Sequence, residues 1–162
     1  MDEFLIKTGF ALLGRAAGAV SKYDQDVAGE LSHWKEGFTV KLEVFASGAE
    51  VALQVKNGKY HYLKQPVDKC DLRVILKNKK SAAKIILARL SLAEANAQNR
   101  IIIEGNTMDA MRYVRTMKAI MAYLYPFFML RNITEKMPRR TIQNFKNKIR
   151  IIFIGVIAGK EV

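Results

Sequence analysis

The chain has little of what most catalytic chemistry needs. Its 162 residues include one cysteine, Cys70, and two histidines, His33 and His61. A lone cysteine closes no internal disulfide and fits a reducing, cytoplasmic setting. With no His–carboxylate set beside it, Cys70 reads as a spare thiol and not as a nucleophile. Neither histidine has a His, Cys or carboxylate at ligand spacing, so no metal is expected. There is no Walker loop, no G-x-S-x-G elbow and no H-E-x-x-H. Gly9, Gly14 and Gly18 do not form a G-x-G-x-x-G fingerprint, and no strand precedes them. Acidic residues are few in the C-terminal half, and no pair stands out as general acid and base. These absences point away from an enzyme and from any cofactor.

Long apolar runs are missing too. Ile151 to Ala158, the longest near the C-terminus, falls far short of the ~20 residues that span a bilayer. At the other end, Asp2 and Glu3 stand where a signal peptide is basic, and Lys7 and Arg15 interrupt the apolar stretch. Neither a signal peptide nor a transmembrane segment is expected. Asn132-Ile133-Thr134 is then a chance sequon, because glycosylation needs secretion. With no repeat, low-complexity tract or Pro/Gly/Ser linker, the sequence reads as one domain over residues 1–162. Its parts are an N-terminal helical extension over 1–35, a core over 36–125 and a basic C-terminal helical extension over 126–162.

What the chain does have is positive charge, unevenly placed. The formal net charge is +12. Met1 to Cys70 carries nine Lys/Arg and nine Asp/Glu, whereas the rest carries eighteen against six. Lys136, Arg139, Arg140, Lys146, Lys148 and Arg150 follow one another with no acidic residue between them. Such asymmetry suggests an anionic partner: a membrane surface, a nucleic acid or an anionic ligand. A solvated helix face is the plainer reading.

The apolar periodicity predicts the elements. Glu3 to Val20 reads as a helix weakened by its glycines, and Asp24 to Trp34 as a short second one. Phe38, Val40, Leu42 and Val44 alternate with polar residues, the period of a half-buried strand. Val51, Leu53 and Val55 repeat the pattern. Asn57-Gly58 is a strong hairpin signal, with Lys59 to Leu63 as the return strand. Leu72, Val74 and Leu76 give a fourth strand, extending an antiparallel meander. Ser81 to Leu90 turns helical, and Ser91 to Glu94 is a capping box that restarts a short helix. The branched Ile101-Ile102-Ile103 gives a fifth strand. Thr107 is the expected N-cap of a helix from Met108 to Tyr125, and Pro138 opens a last one to about Ala158. The sum is an α+β layer: a five-stranded, mainly antiparallel sheet with helices on its apolar face.

Methionine is the other surplus. Five of the seven lie between Met108 and Met129. On a helix, Ala110, Val114, Met117, Met121 and Leu124 share one face. Methionine is flexible and polarisable, so it suits contact with variable apolar partners, although a plain core stripe has the same period.

Residues 50–118 resemble the sterol carrier protein domain family. The resemblance rests on Val51-Ala52-Leu53-Gln54-Val55 before Asn57-Gly58-Lys59, on Asp71-Leu72 opening a strand that ends in Lys77, on Ala82-Ala83, on Ala95 and Ala97, and on Arg100 to Asn106 before the long helix. It implies a five-stranded α+β fold whose helices enclose an apolar tunnel for lipids, fatty acids or acyl-CoA, with no catalytic set. The implied tunnel region contains Leu72, Val74, Ile85, Ile86, Ile101, Ile103, Met108, Met111, Met117 and Met121. The two extensions exceed the family pattern. They leave three roles open: filling the tunnel, forming a homodimer contact, or serving as a membrane handle.

Three functions follow in order. The first is carriage of a lipid or fatty acyl chain, since each buried methylene is worth ~0.8 kcal/mol. The second is an interaction or assembly module with a closed core. The third is nucleic-acid binding, ranked last because the segment from Lys136 has few aromatics and no base-reading motif. Beside the apolar stripe Ile142, Phe145, Ile149, Ile152, Phe153 and Val156, the cations Arg139, Lys146, Lys148 and Arg150 make a face suited to transient contact with an anionic membrane, although a helix that seals the core or a dimer interface is the plainer reading.

Overall fold

The computed structural model describes residues 2–45 and 47–125. The expected last helix, and with it Arg139, Lys146, Lys148 and Arg150, lies outside them.

The elements run α1 (Asp2–Tyr23), α2 (Gln25–Leu31), β1 (Thr39–Val44), β2 (Glu50–Lys56), β3 (Lys59–Leu63), β4 (Leu72–Leu76), α3 (Lys79–Ile86), α4 (Leu92–Ala97), β5 (Ile101–Glu104) and α5 (Thr107–Leu124). Caps set several of the starts. Asp24 accepts from the backbone N–H of Asp26 and Val27 ahead of α2, Asn78 from Ser81 ahead of α3, and Ser91 from Glu94 ahead of α4. α5 begins one residue before its expected start. Asn106, not Thr107, is its cap, taking the N–H of Met108. Both side chains can serve this role, and asparagine is the better N-cap.

The five strands form one sheet in the order β3-β2-β1-β4-β5. β1, β2 and β3 make the expected antiparallel meander, turned at Asn57 (φ 51°) and Gly58 (φ 66°). β4 does not extend it, so the sheet is mixed, not mainly antiparallel. β4 lies parallel to β1, with Val40 opposite Leu72 and Val44 opposite Leu76, and β5 returns antiparallel to β4. The reason is the long 64–71 connection. A two-residue turn holds a strand beside its predecessor, whereas a longer link can carry it across the sheet.

That link crosses on the face away from the helices. Lys41 on β1 donates to the Val67 carbonyl at 2.9 Å, and Val67 N–H donates to Glu50 at 3.1 Å. Asp71 then pins the start of β4 to that of β1: its carboxylate accepts from Thr39 N–H, and its own N–H donates to the Thr39 carbonyl, both at 2.9 Å.

The helices cover the other face. α1 lies on β3 and β2, touches α3, and is crossed by α5, which also packs on α2. Glycines permit the close approach. A Cβ on Gly14 would stand 2.4 Å from the Tyr62 ring, and one on Gly9 would stand 2.5 Å from Ile86. Among the described helices, α1 alone is long and apolar enough, by length and composition, to cross a membrane. The sequence reading expected none. Here Ile6, Phe10, Leu13, Ala16, Ala17 and Val20 of α1 are buried in the core.

Candidate apolar ligand site

The helix-facing side of the sheet is apolar along every strand. Val40, Leu42 and Val44 of β1 sit between Val51, Leu53 and Val55 on one side and Leu72, Val74 and Leu76 on the other. Ile101 and Ile103 of β5 continue the surface, opposite Leu76 and Val74. Ile85 and Ile86 of α3 close one end. α5 lays Ala110, Tyr113, Thr116, Met117, Ile120 and Met121 into the same core. The period-2 alternation of the strands and the 3.6 period of α5 bring these side chains together.

Eight of the ten residues expected to line a tunnel share this interior. Leu72, Val74, Ile85, Ile86, Ile101, Met117 and Met121 are buried in one cluster, and Ile103 packs against it. Met108 and Met111 do not join it. They are 59% and 55% exposed, because α5 starts at Thr107 and turns its first buried positions to Ala110 and Tyr113.

Polar contacts ring α5. Trp34 Nε1 donates to Asp109 at 2.7 Å, Arg115 makes a two-pronged pair with Glu30 at 2.6 and 2.9 Å, and Tyr123 Oη donates to Asp24 at 2.6 Å. Tyr125 Oη donates to the Ile86 carbonyl. The Arg115 hydrogen bond keeps the Glu30 carboxyl below its ordinary range.

Three hydroxyls lie inside. Tyr60 Oη on β3 meets Thr116 Oγ1 on α5 at 3.0 Å, and Thr116 donates to the Tyr113 carbonyl at 2.9 Å. Trp34 stacks on Phe38 at 4.8 Å and lies 6.1 Å from the Tyr60 ring. The sequence reading missed this cluster. Alternation already turned Tyr60 inward with Tyr62, but Thr116 and Tyr113 become its neighbours only once α5 is docked.

A concavity lies on the outer side of the sheet, an open cleft of about 580 Å³ lined by Asp68, Lys69, Cys70, Asp71, Arg73, Glu104 and Gly105. It is polar and shallow, and it belongs to the crossing link, not to the apolar interior. Burial pushes the Cys70 thiol up, away from the thiolate that nucleophilic chemistry needs. Among the described residues, no group of His, Cys, Asp and Glu could hold a metal ion. His33 Nδ1 contacts the Gly29 carbonyl at 3.0 Å, and His61 is exposed on β3.

The profile of the SCP-2 sterol transfer family matches residues 18–118. The chain belongs to that family. The match begins within α1 and ends inside α5, so it spans the whole sheet. At the level of the SCP-2 family, the shared activity is lipid or sterol binding and transfer. No curated protein matches the chain. Among solved structures, sterol carrier protein domain 2 of Helicoverpa armigera is similar at 17% identity and a TM-score of 0.49, covering 70% of this chain and 87% of that one. A Thermus thermophilus protein described as possibly a sterol carrier protein matches at 13% identity and 0.49, over 78% and 90% of the two chains. Sterol carrier protein 2 from Yarrowia lipolytica, in its apo form, matches at 16% identity and 0.46, over 67% and 86%. The sequence resemblance named the same family but began only at Glu50. The family profile reaches back into α1.

Proposed function

We propose that this SCP-2 family member carries an apolar ligand, a lipid or fatty acyl chain, between the sheet and α5, without catalysing a reaction on it. The observation that carries the reading is the family match over residues 18–118, which contains every inward-facing candidate except Met121. The chemistry of the interior agrees. Aliphatic side chains and two methionines offer non-directional contact that adapts to chain shape. Admitting a guest would require α5 to lift, which parts its rim pairs and the core contacts of Tyr113, Met117 and Ile120 but leaves the sheet ladder intact.

A closed interaction module is the competing reading. It is favoured by the tight packing of Tyr113, Met117 and Ile120, which are almost wholly buried, and by the exposure of Met108 and Met111.

Extraction and mass spectrometry of the purified protein, together with titration of a fluorescent fatty acid, separate the two. Carriage predicts a co-purifying lipid or saturable binding, and binding weakened by Met117→Trp in a protein that still folds. Neither lipid nor binding in repeated preparations would leave the module.

A further inference from the structure

We infer that the open edge of β5 pairs with the same edge of a second copy of this chain, antiparallel about a two-fold axis at Ile102, so that the two sheets run on as one. The inference rests on the fold and on the order of charges along one strand. It stands whether or not the interior carries a ligand.

The sheet ends in two edges, β3 and β5, and they are finished differently. α1 lies along β3, where the outward N–H of Tyr60 donates to Ser21 Oγ at 3.0 Å. A Cβ on Gly18 would stand 3.2 Å from the Tyr60 carbonyl, so the helix closes that edge. At the other edge, Lys77 N–H donates to the Arg100 carbonyl at 3.0 Å, and Ile102 stands opposite Ile75. Along an antiparallel ladder the amides alternate in direction. Those of Ile102 therefore turn to β4, and those of Ile101 and Ile103 turn outward. Among the described residues, nothing hydrogen-bonds to the outward pair. Beside them the Ile102 side chain is 42% exposed on the outer face. An open strand edge carrying an exposed apolar residue is a surface that takes another strand.

The sequence of the edge says which strand fits. Arg100-Ile101-Ile102-Ile103-Glu104 reverses its charge about Ile102. An antiparallel pair of such strands, related by a two-fold axis there, sets Ile101 of one copy opposite Ile103 of the other. These are the residues with outward amides, so each such pair exchanges two backbone hydrogen bonds, and symmetry repeats it. On the outer face Arg100 then meets Glu104 of the other copy at both ends, with the two Ile102 side chains in contact between them. Both charges are open to such a partner. Arg100 is bonded to neutral groups, Gln98 at 2.7 Å and Ser81 at 3.4 Å. The Glu104 side chain is 54% exposed and shares Arg73 at 3.3 Å with Glu43. A slip of two residues in either direction would set a charge against Ile102 instead.

The interface is small and its dimer correspondingly weak, so the full chain is followed by sedimentation velocity from about 5 to about 500 μM. A monomer–dimer equilibrium is expected. Arg100→Glu sets Glu against Glu across the two-fold axis, and Glu104→Arg sets Arg against Arg. Each repulsion enters twice, so each variant alone should associate at least about tenfold more weakly. Mixing the two makes every facing pair opposite in sign again and should restore the dimer. The register is tested in a Cys70→Ala background. Facing residues that share no backbone bonds stand about 4.5 Å apart at Cα, a span a disulfide can close. Oxidised Ile102→Cys should therefore cross-link, and Glu104→Cys, which faces Arg100, should not. Melting temperatures at the lowest concentration check each fold. Should Glu104→Arg unfold, opposite Arg73, the two cysteine variants decide alone. A chain that stays monomeric throughout overturns the inference. So does a dimer that both reversals leave intact, a mixture of folded variants that stays monomeric, or cross-linking of Glu104→Cys as readily as Ile102→Cys.

Discussion

The two faces of the sheet are built on opposite principles. The face toward the helices is held by apolar contact, with three hydroxyls as its inner polar group. The outer face is held by charge. On it Lys41 lies beside Arg73 on the neighbouring strand, and Glu43 lies directly opposite Glu50. Like charges are thus adjacent around β1, where the attractions run along and diagonally, and only Arg73 and Glu104 attract directly across a strand pair. Lys41 pairs with Glu43 at 3.0 Å and Glu50 at 2.8 Å, while Arg73 pairs with Glu43 at 2.6 Å and Glu104 at 3.3 Å. Lys41 is only 8% exposed, so its pairs are poorly screened. Directional, desolvated pairs fix geometry, whereas methyl and thioether contacts tolerate change. The contrast bears on which side of the domain can give way: the outer face is the stiffer, and the helix side is where the proposed ligand would enter.

The largest effect should come from that back. Lys41→Met would leave Glu50 partly buried without its cation, leave Glu43 to Arg73 alone, and free the Val67 carbonyl. Breaking one partner of a buried pair costs about 3–5 kcal/mol, measurable as a drop in the urea midpoint. Met117→Leu, equally buried but on the soft face, should cost less than about 1.5 kcal/mol. Equal losses would break the comparison.

Next comes the seam between sheet and α1. Gly14→Ala sets a methyl against the Tyr62 ring and should cost about 1–3 kcal/mol by thermal unfolding, since either helix or ring must shift. A neutral result would mean that the α1 seam has slack enough to take the methyl group.

Acid should act on the stiff face in a defined window. Burial tends to raise the Glu43 carboxyl, but hydrogen bonds from Lys41 and Arg73 outweigh it and leave its pKa below the ordinary 4.5. A depressed carboxylate stabilises the fold above its unfolded value and loses that contribution as pH falls through the folded one. Stability should therefore decline below about pH 4.5 by a step that Glu43→Gln removes. For Lys41 burial lowers the pKa, yet Glu50 and Glu43 hold it above the usual 10.5, so its contribution is lost only at still higher pH.

The smallest equilibrium effect should be at the rim of α5. Arg115→Gln removes a largely exposed pair with Glu30, worth roughly 0.2–1 kcal/mol in such positions. Its informative readout is kinetic. Ligand exchange should quicken severalfold in stopped flow, with little change in melting temperature. Unchanged exchange would mean that α5 is not the part that moves.

Much of this contrast was legible in the sequence. Alternation identified the inward side of β1, β2 and β4, and Asn57-Gly58 identified the hairpin. What could not be read was the partner of β4, because a strand's own pattern is the same whether it pairs with β3 or crosses to β1. The buried charges were hidden for a related reason: Lys41 and Glu43 look like solvent-facing positions until the 64–71 link is laid over them. Met108 and Met111 were misplaced by the helix's phase, which composition does not reveal. A signal in α1 went unused. Gly9, Gly14 and Gly18, read as weaknesses of the helix, recur at intervals of five and four and face the close contacts with Ile86, Tyr62 and the Tyr60 backbone.

The parallel pairing at the centre of the sheet also has a consequence for synthesis. Thr39 and Asp71, which join β1 to β4, are 32 residues apart in sequence. β2 and β3 can close on β1 through local turns as soon as they leave the ribosome. The other edge of β1 has no partner until β4 has emerged. For that interval the nascent chain presents an unpaired strand edge, the kind of surface that recruits other strands. The charges of Lys41 and Glu43, which later lock the crossing link, stand on that same strand and would keep a neighbouring chain off it in the meantime.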